Sequence, residues 1–140
     1  MHMKKLTPVM VVDAIEPCLD FWTRLGFIKT VEIPHNGGLG FVILTRDGVE
    51  LMYQTKASVA ADVPEIAKAP YAEHTPLFLE VDDVKAVRKL LKGAPTIIAE
   101  RQTFYGSTET IVRGPAGQVV TFAQFAAPAQ TGGEGAYRRG

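Results

Sequence analysis

The sequence predicts an α+β fold: two βαβββ modules forming a curved mixed sheet around a cleft, with the helices outside. Three observations predict it. First, short segments echo one another at a nearly constant offset. Val11-Val12-Asp13 returns 70 residues on as Val81-Asp82-Asp83, and Gly48-Val49-Glu50-Leu51-Met52-Tyr53-Gln54 returns 69 residues on as Gly117-Gln118-Val119-Val120-Thr121-Phe122-Ala123. Second, both halves run through the same order of elements: an apolar β-rich stretch, a short amphipathic helix, then strands closed by a glycine turn. Third, a chain of 140 residues can bury roughly two thirds of its unfolded surface, whereas half that length is marginal alone. The halves are therefore read as one domain over residues 1–130. Module one spans about 5–55, a linker about 56–73 and module two about 74–126; residues 131–140 form a disordered tail with four glycines and no apolar cluster.

The first strand is expected at Leu6 to Val12, which is rich in valine. Asp13 is the expected N-cap of the first helix, with Glu16 three residues on as in a capping box and Pro17 in the first turn. Ile15, Cys18, Leu19, Trp22 and Leu25 share one helical face, and Gly26 is a natural terminator. Strands follow at Phe27 to Ile33, Leu39 to Arg46 and Val49 to Gln54. They are joined by His35-Asn36-Gly37-Gly38 and by Asp47-Gly48, both strong turn signals. Between the halves, the alanine-rich stretch Ala57 to Ala69 reads as a linker with one or two helical turns.

In the second half a strand is expected at Pro76 to Val81. Asp83 then caps a shorter helix whose apolar face is Val84, Val87 and Leu91, ended by Gly93. Strands are expected at Thr96 to Arg101, Thr108 to Arg113 and Gln118 to Phe125. Gly114-Pro115-Ala116-Gly117 turns between the last two.

Composition narrows the function. Fifteen basic and fifteen acidic residues cancel, so the basic excess of a nucleic-acid binder is missing, as is any pull toward an anionic membrane. The longest apolar runs, such as Pro8 to Val12 and Phe41 to Leu44, fall far short of the ~20 residues of a membrane span. No signal-peptide pattern is present, and a single cysteine cannot form an internal disulfide; both fit a cytoplasmic setting. Cys18, on the apolar helix face, reads as a buried inert thiol. Ser58 and Ser107 lack nucleophile-elbow spacing, and no phosphate loop or zinc motif occurs.

The chain resembles the vicinal oxygen chelate superfamily of glyoxalases, bleomycin-resistance proteins and dioxygenases. The resemblance rests on Val11-Val12-Asp13 followed by Phe21-Trp22-Thr23-Arg24-Leu25-Gly26-Phe27, where the family commonly reads Phe-Tyr-x-x-Leu-Gly-Phe. It continues through Phe78-Leu79-Glu80-Val81-Asp82-Asp83-Val84, Phe104-Tyr105-Gly106 and Arg113-Gly114-Pro115-Ala116-Gly117-Gln118, over about residues 5 to 125. It implies four metal positions, two on the first strands and two on the last strands of the modules. Counting from Asp13, Asp83, Gly48 and Gly117 puts Leu6, Pro76, Met52 and Thr121 there. Slipping by one gives Thr7, Thr75 or Tyr53. None supplies a hard-cation site, so no metal and no cofactor are expected.

What remains is a small-molecule cleft. Alternation puts Glu80 on the face of Pro76, away from Leu77, Leu79 and Val81, and puts Glu50 on the face of Met52. An inward carboxylate needs a partner, and burial raises its pKa toward what a general acid or base requires. Glu80 is thus the candidate catalytic residue; otherwise it pairs with Arg101 or Arg113, or is simply wet. Met10, Glu50, Met52, Phe78, Glu80, Phe104, Tyr105 and Thr121 are the expected pocket lining. The plainer alternative for its apolar members is core packing. His74 and His35 are read as a strand-entry and a hairpin-tip histidine. The reading is a metal-free protein of the glyoxalase/bleomycin-resistance type that holds a small, partly apolar or cationic ligand. Binding is favoured over turnover, and the resemblance implies a homodimer. The alternatives are a metal-dependent lyase, isomerase or dioxygenase with atypical ligands, and a regulatory module that senses a metabolite.

Overall fold

The computed structural model describes residues 1–68 and 75–126. His74 and the expected tail lie outside them. The chain divides into two compact units, Met1–Glu73 and His74–Gly140, each a four-stranded sheet with helical cover.

In unit 1 the strands β1 (Val9–Val12), β2 (Ile28–His35), β3 (Gly38–Arg46) and β4 (Val49–Thr55) lie in the order β1-β4-β3-β2. β1 runs parallel to β4, and the other pairs are antiparallel. The first strand begins at Val9 rather than Leu6. Pro8 has no N–H to give the ladder, and its carbonyl accepts from Met52 N at 3.0 Å as the last contact before the strand; Leu6 is 90% exposed. The two hairpins turn on Asn36-Gly37 and Asp47-Gly48, each with positive φ at both residues, the geometry that matches strand twist.

Helix α1 (Glu16–Arg24) packs on β3. Its start corrects the expected capping box. The N-cap residue is Ile15, with no side-chain cap, because both acids are engaged elsewhere. Asp13 reaches Lys56 Nζ at 3.2 Å, and Glu16 accepts the Leu39 N–H at 2.7 Å, a bond that holds its carboxyl below the usual range. Of the expected apolar face Ile15, Cys18, Trp22 and Leu25 are buried and Leu19 is half-buried, and Phe21 joins the buried set. Cys18 is buried, and burial pushes its thiol up to about 11, so it is no nucleophile at neutral pH. The Trp22 indole N–H donates to the Tyr53 hydroxyl at 2.7 Å, tying α1 to β4.

Gly26 ends α1 with φ +89°. A Cβ there would meet the Arg46 guanidinium at 2.7 Å, the group that donates to the Leu25 carbonyl. Gly26→Ala combines a strained φ with displacement of that arginine. It is expected to cost about 1–2 kcal/mol, read as a lower urea midpoint at unchanged m-value. An unchanged midpoint would refute this.

The linker is more ordered than a linker need be. α2 (Lys56–Asp62) is capped by Thr55, which accepts from Ser58 N, and α3 (Pro64–Lys68) follows.

In unit 2 the strands β5 (Leu77–Glu80), β6 (Thr96–Gln102), β7 (Ser107–Arg113) and β8 (Val119–Phe125) repeat the order as β5-β8-β7-β6. β5 starts one residue late, at Leu77, because Pro76 again lacks an N–H. Helix α4 (Val84–Leu90) is capped as expected: Asp83 accepts from Ala86 N at 3.1 Å, and Gln124 on β8 takes the Val84 N–H at 3.0 Å. Val84, Val87 and Leu91 are buried, the face the spacing predicted.

Candidate ligand-binding face

In each sheet, alternation sends one set of side chains toward the helix and the other away from it. In β4, Leu51, Tyr53 and Thr55 are buried on the side of α1, whereas Glu50, Met52 and Gln54 are half-buried on the other. This register corrects one predicted lining residue. Met10 pairs with Tyr53, so it lies on the helix-covered face; Val9, paired with Met52, takes the place assigned to it. A parallel strand's face is set by its pairing partner, which the sequence of the strand does not contain.

Glu50 is not an available charge. Its carboxylate takes Lys5 Nζ at 2.9 Å and Thr7 Oγ1 at 2.9 Å, and these bonds hold it below the usual carboxylate range. Thr7, one residue from an implied metal position, is thereby spent on a carboxylate. His35 closes β2 opposite Gly38 and is half-buried, rather than standing at the exposed tip of its hairpin.

Unit 2 brings most of the predicted lining together. Phe78 pairs with Thr121 and Glu80 with Ala123, all facing away from α4, while Leu77 and Leu79 face it with Val120 and Phe122. An aromatic row runs along the far face. The ring centroids of Phe78 and Phe125 are 6.4 Å apart, those of Phe125 and Tyr105 6.1 Å, and those of Tyr105 and Phe104 5.2 Å. Phe78 is 55% and Phe104 fully exposed. Phe125 was not singled out from the sequence, although Thr121, Ala123 and Phe125 share one parity.

The larger omission is Glu109, in the middle of β7 and wholly buried. Arg101 on β6 donates to Oε1 through Nε at 3.1 Å and Nη2 at 3.0 Å. Oε2 accepts from the Tyr105 hydroxyl at 2.5 Å and the Ser107 hydroxyl at 2.9 Å, and Ser107 continues to Thr103 Oγ1 at 2.7 Å. Burial pushes this carboxyl up, but the three donors and the guanidinium charge outweigh it and hold it below the usual range. It is therefore a carboxylate at neutral pH, and it anchors Tyr105 in the aromatic row. The signal was present in Thr108-Glu109-Thr110, an acid inside a β-branched strand, with Arg101 on the neighbouring strand. Arg101, one of the two arginines offered as a partner for Glu80, binds Glu109. Arg113, the other one offered, donates to the Gly117 carbonyl at 2.9 Å and braces the turn.

The four implied metal positions lie two in each unit. Leu6 is exposed, Met52 lines the far face of unit 1, Pro76 precedes β5, and Thr121 sits beside Phe78. Among the described residues no group of three or more His, Cys, Asp or Glu is placed to hold a metal ion. No helix among them is long and apolar enough to cross a membrane.

Two four-stranded mixed sheets with few helices are the fold of the glyoxalase/bleomycin resistance/dioxygenase proteins. The chain is similar to a glyoxalase/bleomycin resistance protein/dioxygenase from Nocardioides at 16% identity and a TM-score of 0.69, covering 94% of this chain and 91% of that one. It is similar to lactoylglutathione lyase from Agrobacterium tumefaciens at 15% identity and a TM-score of 0.69, over 89% and 95% of the two chains. It is also similar to a bleomycin-binding protein complexed with bleomycin, at 21% identity and a TM-score of 0.62, over 89% and 100%. No family model and no curated protein matches the sequence. At these identities the likeness is one of fold.

Proposed function

We propose that the protein binds a small, partly apolar or cationic molecule without a metal, with the aromatic face of unit 2 as part of its site. The observation that carries this is the row Phe78, Phe125, Tyr105 and Phe104, two of whose rings stand in solvent, with Glu80 two residues along the strand from Phe78 on the same face. Exposed aromatic rings next to a carboxylate suit a flat or cationic ligand, through stacking and cation–π attraction. Phe78, Tyr105 and Thr121 would line the site, with Glu80 as its acid. Glu50, already satisfied by Lys5 and Thr7, contributes less than its sequence position promised. A homodimer fits the same reading. In unit 1, Val9, Ile28, Val31 and Ile33 leave 39–62% of their surface exposed on the face away from α1, an apolar row that a second copy would cover.

The test is calorimetric titration with bleomycin and with proflavine, a planar aromatic cation, alongside a turnover assay on lactoylglutathione with and without added Ni²⁺ or Zn²⁺. Saturable binding of one probe is expected, with no turnover and with the mass of two copies by light scattering. The double variant Phe78→Ala with Phe104→Ala is expected to weaken binding about tenfold or more, equal to at least ~1.4 kcal/mol. Metal-dependent turnover would instead establish the lyase alternative, and affinity unchanged in the double variant would remove the aromatic row from the site.

A further inference from the structure

Helix α4 of unit 2 differs from its counterpart α1 in chemistry. α1 carries two acids and one base in Glu16, Asp20 and Arg24. Residues 84–93 carry four cations, Lys85, Arg88, Lys89 and Lys92, and no acid. The chain as a whole is neutral, so this is a local concentration of charge.

The cover of the sheet differs too. A helix is about 10 Å wide, while four strands about 4.8 Å apart span about 14 Å, so one short helix leaves a strand's width bare. α4 lies over β7 and β8, and β6 is the edge strand beyond them. α1 brings Phe21 and Trp22 to its sheet, whereas α4 brings only Val84, Val87 and Leu91. The result is a groove of about 450 Å³ between α4 and β6, on the opposite face of the sheet from the aromatic row. Its base is Val87, Leu91, Ala99 and Val112, and the four cations stand around it. Its volume falls in the range of small-molecule sites.

Helix stabilisation accounts for only part of this charge. Arg88 and Lys89, in the last turn, oppose the negative end of the helix dipole. Lys85 is in the first turn, where a cation is unfavourable, and the one acid at that end with a bond to the helix is the N-cap Asp83. Arg88 pairs with Glu100 on β6 at 3.5 Å.

We propose that this groove is a second binding site, for a small soluble anion with an apolar body, such as an aryl or alkyl carboxylate, sulfonate or phosphate ester. The apolar body would lie on Val87, Leu91, Ala99 and Val112. The anionic head would take Lys85 and Lys89 across the rim. The site is independent of the aromatic face.

The test uses 8-anilinonaphthalene-1-sulfonate and its uncharged counterpart N-phenyl-1-naphthylamine. Each is titrated into the full chain, with binding followed by fluorescence and mapped on amide NMR shifts. The sulfonate is expected to saturate, shifting amides of residues 85–93 and 96–112, and the neutral probe to bind at least tenfold more weakly. Lys85→Glu with Lys89→Glu, both at exposed positions, is expected to lower sulfonate affinity at least tenfold while leaving the remaining amide spectrum in place. Equal affinity for the neutral probe overturns the proposal, as do shifts confined to the Phe78–Phe125 face. So do equal shifts from inorganic sulfate alone, which would mean a simple ion site. Co-sedimentation with phosphatidylglycerol vesicles without saturable binding of the free sulfonate would also overturn it, by assigning the charge to a membrane surface.

Discussion

Trp22→Ala is expected to cost about 4 kcal/mol or more and to leave unit 1 without a fixed core. The side chain is fully buried, with Phe21 at 4.9 Å and Phe27 at 5.1 Å in edge-on contact, and its N–H is bonded to Tyr53. Truncating a buried tryptophan removes its apolar contact and opens a cavity, together worth about 3–5 kcal/mol. The Tyr53 hydroxyl, 1% exposed as a residue, is then left without its donor in a dry site, at a further cost of about 1–3 kcal/mol. Because whole domains are stable by about 5–15 kcal/mol, this is a large share. Trp22 is the chain's one tryptophan, so urea unfolding must be followed by circular dichroism. Tyr53→Phe separates the two contributions, since it strands only the indole N–H and should cost about 1–3 kcal/mol. A loss below ~2 kcal/mol for Trp22→Ala would show that the helix is held by something other than this contact.

The second large effect is expected at Glu109. Glu109→Ala removes the acceptor for Arg101, Tyr105 and Ser107 together. Breaking a buried ion pair costs about 3–5 kcal/mol when the remaining charge stays buried. Arg101 is 46% exposed and can return to water, and Ser107 keeps Thr103, so about 2–3 kcal/mol is expected here. Glu109→Gln keeps an acceptor oxygen and should cost less.

The pH dependence follows from the sign of the shift. The folded pKa of Glu109 is lowered, so its contribution is complete above the unfolded carboxylate value of about 4.3 and is lost as pH falls through the folded value. Urea midpoints measured from pH 7 down to pH 2 should therefore fall less steeply below about pH 4 in Glu109→Gln than in the parent protein. Parallel acid limbs would contradict this. Tyr105 loses its anchor in Glu109→Ala, so that variant should also weaken binding at the proposed aromatic site.

Much of this was legible in the sequence. Periodicity placed Val84, Val87 and Leu91 on one face, and glycine, asparagine and aspartate placed both hairpin turns, because these are local preferences of a few consecutive residues. Glu80, Phe78 and Thr121 were correctly set on one face, since their relation is alternation within a strand and the echo between halves. The misses have a common cause. Asp13 looked like a cap until Lys56, 43 residues on, was brought beside it. Met10 looked like pocket lining until its parallel partner proved to be Tyr53. Glu109 drew no notice because nothing within the strand says that Arg101, from the neighbouring strand, and Tyr105, from the loop before it, will join Ser107 on it.

The sequence by itself determined that this chain builds two like sheets, each with its turns and apolar helix face, because those follow from backbone preference and the period of hydrophobic residues. Only the tertiary structure decided which charges are spent and which face of each sheet the helix leaves uncovered. A carboxylate's availability depends on the donors that folding brings to it: Lys5 and Thr7 satisfy Glu50, and a guanidinium and two hydroxyls satisfy Glu109. Those partners meet only when strands pair, and strand pairing is a choice made between distant segments.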